Sequence, residues 1–213
     1  MRRGAWRIAA VLLVAAPASA RAQTSEIWPE LDVYWQPAEH QRTMMEVSSS
    51  VDQDGPKRQD AVALYQDYLF LPLGYLRGGY RISFSTRDAS YRESRLVAEA
   101  VVRVFSHGLV RLVNRGRLEM RWVNGQPSYR LRERLHFQRV PPHPRGLALA
   151  PYGTLEAYYD SHFGAISRLA GRVGCEARLF GPASIDVYLA RQDNFREPPS
   201  YLNALGVTVK LVY

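Results

Sequence analysis

The stretch RGRLEMRWVNGQPSYRLRERLHFQ, residues 115–138, alternates residue by residue between charged and apolar side chains on both sides of an Asn124-Gly125 pair. Asn-Gly is the strongest short hairpin signal, because a two-residue type I′ turn needs positive φ at both central positions. If Val123 and Gln126 flank that turn, one face of the hairpin collects Arg111, Arg115, Arg117, Glu119 and Arg121 with Arg130, Arg132 and Arg134. The other face collects Leu118, Met120 and Trp122 with Tyr129, Leu131, Leu135 and Phe137, and Glu133 alone breaks the pattern. A period of two fits a sheet with one buried and one exposed face and does not fit a helix.

The same alternation recurs along the chain. Eleven segments of nine to fifteen residues, separated by turn residues, run from Ile27–Gln36 to Ala204–Tyr213, and no stretch reads as an amphipathic helix. Short strands at regular spacing predict an all-β fold, a sandwich or a barrel, in one domain. In Tyr91–Phe105 the faces are Glu93, Arg95, Val97, Glu99, Val101, Arg103 against Leu96, Ala98, Ala100, Val102, Val104. In Ala165–Leu179, Arg168, Ala170, Arg172, Gly174 and Glu176 oppose Leu169, Gly171, Val173, Cys175 and Ala177.

A sandwich core about 10 Å thick needs bulky residues on its inner faces. Here the apolar faces are built from Ala, Gly, Val and Leu in mid-strand, with Phe105, Trp122, Tyr129, Phe137 and Tyr159 toward the strand ends. That distribution suits a lipid-facing band between two aromatic girdles, and the strands are long enough to cross a bilayer when tilted. The expectation is a single antiparallel transmembrane β-barrel of about 10 to 12 strands. Bacterial barrels of this kind have even strand counts. Eleven segments therefore predict either a strand hidden near Asp52–Lys57 or Pro141–Gly146, or an incomplete first strand around Pro29.

The N-terminus reads as a secretory signal over residues 1–22: Arg2, Arg3 and Arg7, a nine-residue apolar run from Ile8 to Ala16, and small residues before a break after Ala22. The barrel domain is then 23–213. Removing the leader takes away four arginines and no acids, so the charge falls from +8 to 24 basic against 20 acidic side chains, or +4. The remaining arginines are spread through strands among acids, which gives no footprint for a nucleic-acid partner. Cys175 is the only cysteine. No disulfide is possible within the chain.

Further residues point the same way. In LNALGVTVKLVY the residues Val207, Val209, Leu211 and the terminal Tyr213 share one face, which resembles the C-terminal assembly signal of outer-membrane barrels. WPELDVYW at 28–35, YLRGGYRISF at 75–84, NRGRLEMRWVNG at 114–125, YRLRERL at 129–135 and the closing NALGVTVKLVY extend the likeness over the whole mature chain. On these residues the chain resembles a family of uncharacterised bacterial outer-membrane β-barrels defined as a domain of unknown function. The resemblance implies a barrel in the Gram-negative outer membrane and carries no catalytic residues. Its partners would be outer-membrane lipid and lipopolysaccharide, the barrel-assembly machinery and periplasmic chaperones.

In such a barrel the polar face looks into the lumen. The expected lumen cluster is Arg115, Arg117, Glu119, Arg121, Arg130, Arg132 and Arg134, with Glu99 from the preceding strand. In the hairpin register Glu119 faces Arg130, a favourable pair, whereas Arg117 faces Arg132 and Arg115 faces Arg134, which repel. Those arginines need carboxylates from neighbouring strands, with Glu93, Glu99, Glu156 and Asp160 among the acids available. The outcome is either a charge-packed structural barrel or a narrow porin-like channel for small anionic solutes. A lipid- or lipopolysaccharide-modifying hydrolase is a further reading, with His136, Ser161-His162 and His107 as candidates, but no nucleophile motif accompanies them. A soluble periplasmic binding barrel would turn its apolar faces inward. The histidines have no metal-ligand spacing, and DQDG at 52–55 lacks the remainder of a calcium loop. No cofactor is expected.

Overall fold

A computed structural model describes residues 24–52, 58–70, 72–85, 91–140, 148–179 and 181–213, and among them the chain forms eleven strands. They are β1 (Thr24–Ala38), β2 (Gln41–Asp52), β3 (Arg58–Phe70), β4 (Gly74–Ser85), β5 (Arg92–His107), β6 (Val110–Val123), β7 (Gln126–Arg139), β8 (Ala148–Asp160), β9 (Ala165–Arg178), β10 (Ala183–Asn194) and β11 (Tyr201–Val212). Consecutive strands pair antiparallel, and β1 closes on β11 to complete a barrel. Closure leaves no free sheet edge, which is how a sheet of this length avoids pairing with other chains.

The closing seam corrects the expectation of an even count. An up-and-down path of eleven strands brings the first and last strands together running in the same direction, and β1 and β11 pair in parallel from Thr24 opposite Leu202 to Tyr34 opposite Val212. A parallel ladder still pairs its backbone groups, through evenly spaced, slanted bonds. No twelfth strand is needed. The Pro29-bearing segment is a full strand. Pro29 sits where the ladder to β2 skips Trp28 and Pro29, so its missing N–H costs no bond on that side. Apart from Asp52, both stretches considered for an extra strand lie outside the described residues, as do the leader and His143.

The β6–β7 hairpin has the register its turn predicts. Asn124 and Gly125 have φ of 49° and 84°, the left-handed pair of a type I′ turn. Val123 then faces Gln126, Glu119 faces Arg130, Arg117 faces Arg132 and Arg115 faces Arg134.

Parity decides which side of the wall each residue takes. Glu119 and Asp67 are 0% exposed inside the barrel, whereas Leu131 is 46% and Val173 63% exposed outside it. The outer surface is a belt of Val, Leu, Ile and Ala. Phe84, Trp122, Tyr129 and Tyr159 stand near the end that carries the 124–125 turn, and Trp35, Tyr68, Phe105, Phe137 and Tyr213 near the end that carries the C-terminus. Inside, two small apolar clusters interrupt the charges: Met44, Ala63, Tyr65 and Val97 in one, Tyr188, Ala190 and Ala204 with Trp28 and Tyr152 in the other. Tyr188 lies flat over Gly206, where any Cβ would collide with its ring.

Candidate functional site

The charged faces meet inside the barrel. All eight residues of the expected cluster lie on the inward face, and each of their charges has a partner. Glu99 on β5 takes both Arg115 at 2.6 Å and Arg117 at 2.5 Å. Glu93 takes Arg95 at 2.6 Å and Arg121 at 2.5 Å. On β8, Asp160 holds Arg121 and Arg130 at 2.7 and 2.8 Å, and Glu156 holds Arg132 and Arg134, each at 2.9 Å.

One cross-strand pair differs from expectation. Glu119 faces Arg130 in register but pairs with Arg132 at 2.7 Å, with Arg117 and Arg95 each at 3.5 Å. Arg130 turns instead to Asp160, its register partner on β8. The reason is geometric: a long guanidinium reaches diagonal and next-strand carboxylates as easily as the residue directly opposite, and it bridges two acceptors in one plane. The repelling pairs Arg117–Arg132 and Arg115–Arg134 are relieved in this way. Five carboxylates, Glu93, Glu99, Glu119, Glu156 and Asp160, serve seven arginines on this wall, Arg95, Arg115, Arg117, Arg121, Arg130, Arg132 and Arg134. A further paired group adjoins it, where buried Asp67 binds Arg42 and Arg77, each at 2.6 Å.

The opposite wall is different in kind. Arg172 on β9 has no carboxylate within ion-pair distance among the described residues; its guanidinium lies 5.1 Å from the Tyr188 ring centre and 5.7 Å from that of Trp28. Arg168, further along the same face of β9, has no ion pair among the described residues; it donates to the Asn194 side chain at 3.0 Å, lies 5.3 Å from the Tyr158 ring centre and shares a cavity with Glu197. Register and competition account for this, since the diagonal acid Glu156 already holds Arg132 and Arg134. The cross-strand neighbours of Arg172 are Ala190 and Thr154, and those of Arg168 are Tyr158 and Asn194, so neither meets an acid.

Two larger polar cavities occupy the lumen beside a third, of about 180 Å³, whose lining includes Trp28, Glu30, Arg81, Arg95 and Arg172. One of about 340 Å³ lies toward the end with the 124–125 turn and includes Trp28, Tyr158, Arg168 and Asn194 in its lining. The other, about 670 Å³, lies toward the C-terminal end. Arg95, Arg132 and Arg172 line both. These three guanidiniums, from β5, β7 and β9, therefore form the waist between the two chambers. Arg95 and Arg132 are paired with glutamates, which leaves Arg172 as the waist guanidinium without an ion pair among the described residues.

Sequence pattern places Arg95 and Arg172 on inward faces but does not mark them as central, since both lie far along the chain from the arginine-rich hairpin. The usable signal is the run Arg168, Ala170, Arg172, which has no acid between its arginines. Other expected residues are dispersed. His136 faces inward and stacks on Tyr152 with 5.0 Å between ring centres. Ser161 lies in the β8–β9 turn, where its hydroxyl accepts the Tyr129 N–H at 2.8 Å, while His107 ends β5 at the far rim. No hydroxyl-imidazole pair forms between these groups. Glu133 projects outward, and its carboxylate accepts the Asn114 amide at 2.6 Å beside Gly116. Val207, Val209 and Leu211 face outward on β11. Tyr213 continues the seam, donating its N–H to the Tyr34 carbonyl at 2.9 Å and accepting that of Gln36 at 3.0 Å.

Neither a known family profile nor a curated protein matches the chain.

Proposed function

We propose that this chain is a bacterial outer-membrane β-barrel that passes small anions through a narrow arginine waist. The observation that carries the reading is the pair of polar chambers meeting at Arg95, Arg132 and Arg172, with Arg172 in no ion pair among the described residues. A buried guanidinium without an ion pair attracts an anion from solution, and in a confined low-dielectric passage that attraction is stronger than in bulk water. Its aromatic seat holds Arg172 in place without cancelling its charge.

The membrane address rests on the outer surface and the termini. A closed barrel with an apolar outside, aromatic margins and a charged inside is what a bilayer selects, because lipid offers no partner for unpaired backbone or side-chain polar groups. In water the same belt would be an apolar patch far larger than soluble monomers carry. The leader over residues 1–22, the outward-facing Val207, Val209, Leu211 and Tyr213, and the likeness to the outer-membrane family support the same reading. On it, lipid and lipopolysaccharide contact the outer belt, and assembly machinery and chaperones deliver the chain.

The test is single-channel recording of the refolded protein in a planar bilayer under a salt gradient. Discrete, anion-selective steps that lose selectivity in Arg172→Gln are expected. Silence from barrels verified as folded by heat-modifiable migration overturns the channel and leaves a structural barrel.

A further inference from the structure

The larger chamber has two unlike walls. Asp32 on β1 and Asp186 on β10 are 4% and 8% exposed, line the chamber, and each keeps one carboxylate oxygen buried without a hydrogen-bond partner. Their other oxygens accept only tyrosine hydroxyls, from Tyr34 at 3.3 Å and from Tyr152 at 3.0 Å. Glu30 beside them accepts the Thr208 hydroxyl at 3.4 Å. The cations of this wall are Lys210, which holds Glu176 at 2.6 Å and lies opposite Asp32 in register, Arg81, which holds Glu46, and Arg172, which has no ion pair among the described residues. None of Glu30, Asp32 and Asp186 has an ion pair among the described residues.

The barrel order puts β6 and β7 across the lumen from β1. From that side Arg111 lines the same chamber without any ion pair among the described residues, its Nε buried and unpartnered. Arg134 also lines it, its Nε unpartnered although its terminal nitrogen holds Glu156. Buried polar atoms are rarely left unsatisfied, and each one costs the desolvation of its group. Here the unsatisfied Asp32 and Asp186 oxygens, with the Arg81 Nε, lie on one wall and the Arg111 and Arg134 Nε donors on the other, in a space of about 670 Å³, a volume typical of small-ligand sites.

We infer that this chamber binds a small zwitterion of the amino-acid or short-peptide class, with its ammonium on the Asp186 side and its carboxylate on Arg111. An ammonium supplies three donors to carboxylate oxygens that have none. A carboxylate accepts from one guanidinium in a bidentate pair. A simple anion satisfies only the basic wall and a simple cation only the acidic one, so a molecule carrying both charges is favoured over either. The inference goes beyond the proposed anion channel to a net-neutral ligand of the same lumen; it rests on that lumen being wet and needs no conducting waist.

The test is saturation-transfer NMR on the wild-type protein refolded in detergent, with three probes of nearly equal size: triglycine, N-acetyl-triglycine and triglycine amide. Triglycine should bind roughly ten-fold more tightly than either blocked form, because each blocked form forgoes one charge-assisted hydrogen-bonding group. Asp186→Asn should abolish the preference over the acetylated probe and keep that over the amide, while Arg111→Gln should do the reverse. Equal binding of the three probes, or no binding, overturns the inference, and the wild-type comparison needs no variant to fold. Binding without conductance supports the zwitterion site and sinks the channel. Conductance without a preference for triglycine does the opposite.

Discussion

The two halves of the lumen treat charge in opposite ways. From β5 to β8 every arginine of the hairpin cluster has a carboxylate at 2.5–2.9 Å, and Glu93 and Glu119 are 1% and 0% exposed. From β9 round to β1, Arg168, Arg172, Glu30, Asp32 and Asp186 stand without ion pairs among the described residues, seated against Trp28, Tyr34, Tyr152, Tyr158 and Tyr188. Apart from Arg103 and Arg111 near the rim, which have no ion pair among the described residues, the first half pairs its inward arginines internally and holds the wall in shape. The second leaves its charges available to whatever enters. Arginine count alone is therefore a poor guide to where a solute is met.

The largest expected effect separates the halves by stability. Glu119→Gln removes the carboxylate shared by Arg132, Arg117 and Arg95 and should destabilise the barrel by about 3–5 kcal/mol, the usual cost of breaking a buried ion pair from one side. Asp32→Asn, which breaks no ion pair, should cost far less. Urea unfolding in detergent micelles compares them, and equal midpoints would erase the distinction between the walls.

Conductance should reverse that ranking. Arg172→Gln loses only aromatic contacts worth about 0.5–2 kcal/mol, so the barrel stays folded while anion selectivity collapses. Arg117→Gln, deep in the paired lattice, should lower the unfolding midpoint and leave the reversal potential close to wild type. A larger selectivity loss in Arg117→Gln would place the solute path on the other wall.

Two smaller effects sharpen the picture. Gly206→Ala should push the Tyr188 ring off its seat and loosen Arg172, reducing selectivity partway toward Arg172→Gln; an unchanged reversal potential would show that the aromatic seat does not position the guanidinium. Gly125→Ala, at φ 84°, should cost about 1–2 kcal/mol through the left-handed turn alone and leave selectivity untouched. A selectivity change there would mean that the hairpin's register reaches the waist.

The hairpin shows how far pattern reasoning goes. Period two assigns Leu118 and Leu131 to one side and Arg117 and Arg132 to the other, and Asn124-Gly125 sets the register, because both are local properties of a pleated strand. Which acid neutralises which arginine is not legible in the same way. Register points Arg130 at Glu119, yet it binds Asp160, since guanidinium reach spans diagonals and second neighbours that a pairwise register does not rank. The expectation of an even strand count fails for a related reason: each strand is readable by itself, but whether the first meets the last in parallel depends on the whole ring.

By itself the sequence determined the all-β class, eleven alternating segments, their inward and outward faces and the central hairpin, all of which follow from alternation and turn chemistry within a few residues. Only the tertiary structure decided the parallel seam, the five-carboxylate lattice, the isolation of Arg172 and the two-faced chamber. These depend on which residues share a level across the lumen, and strands far apart in the chain come to one level only when the barrel has closed.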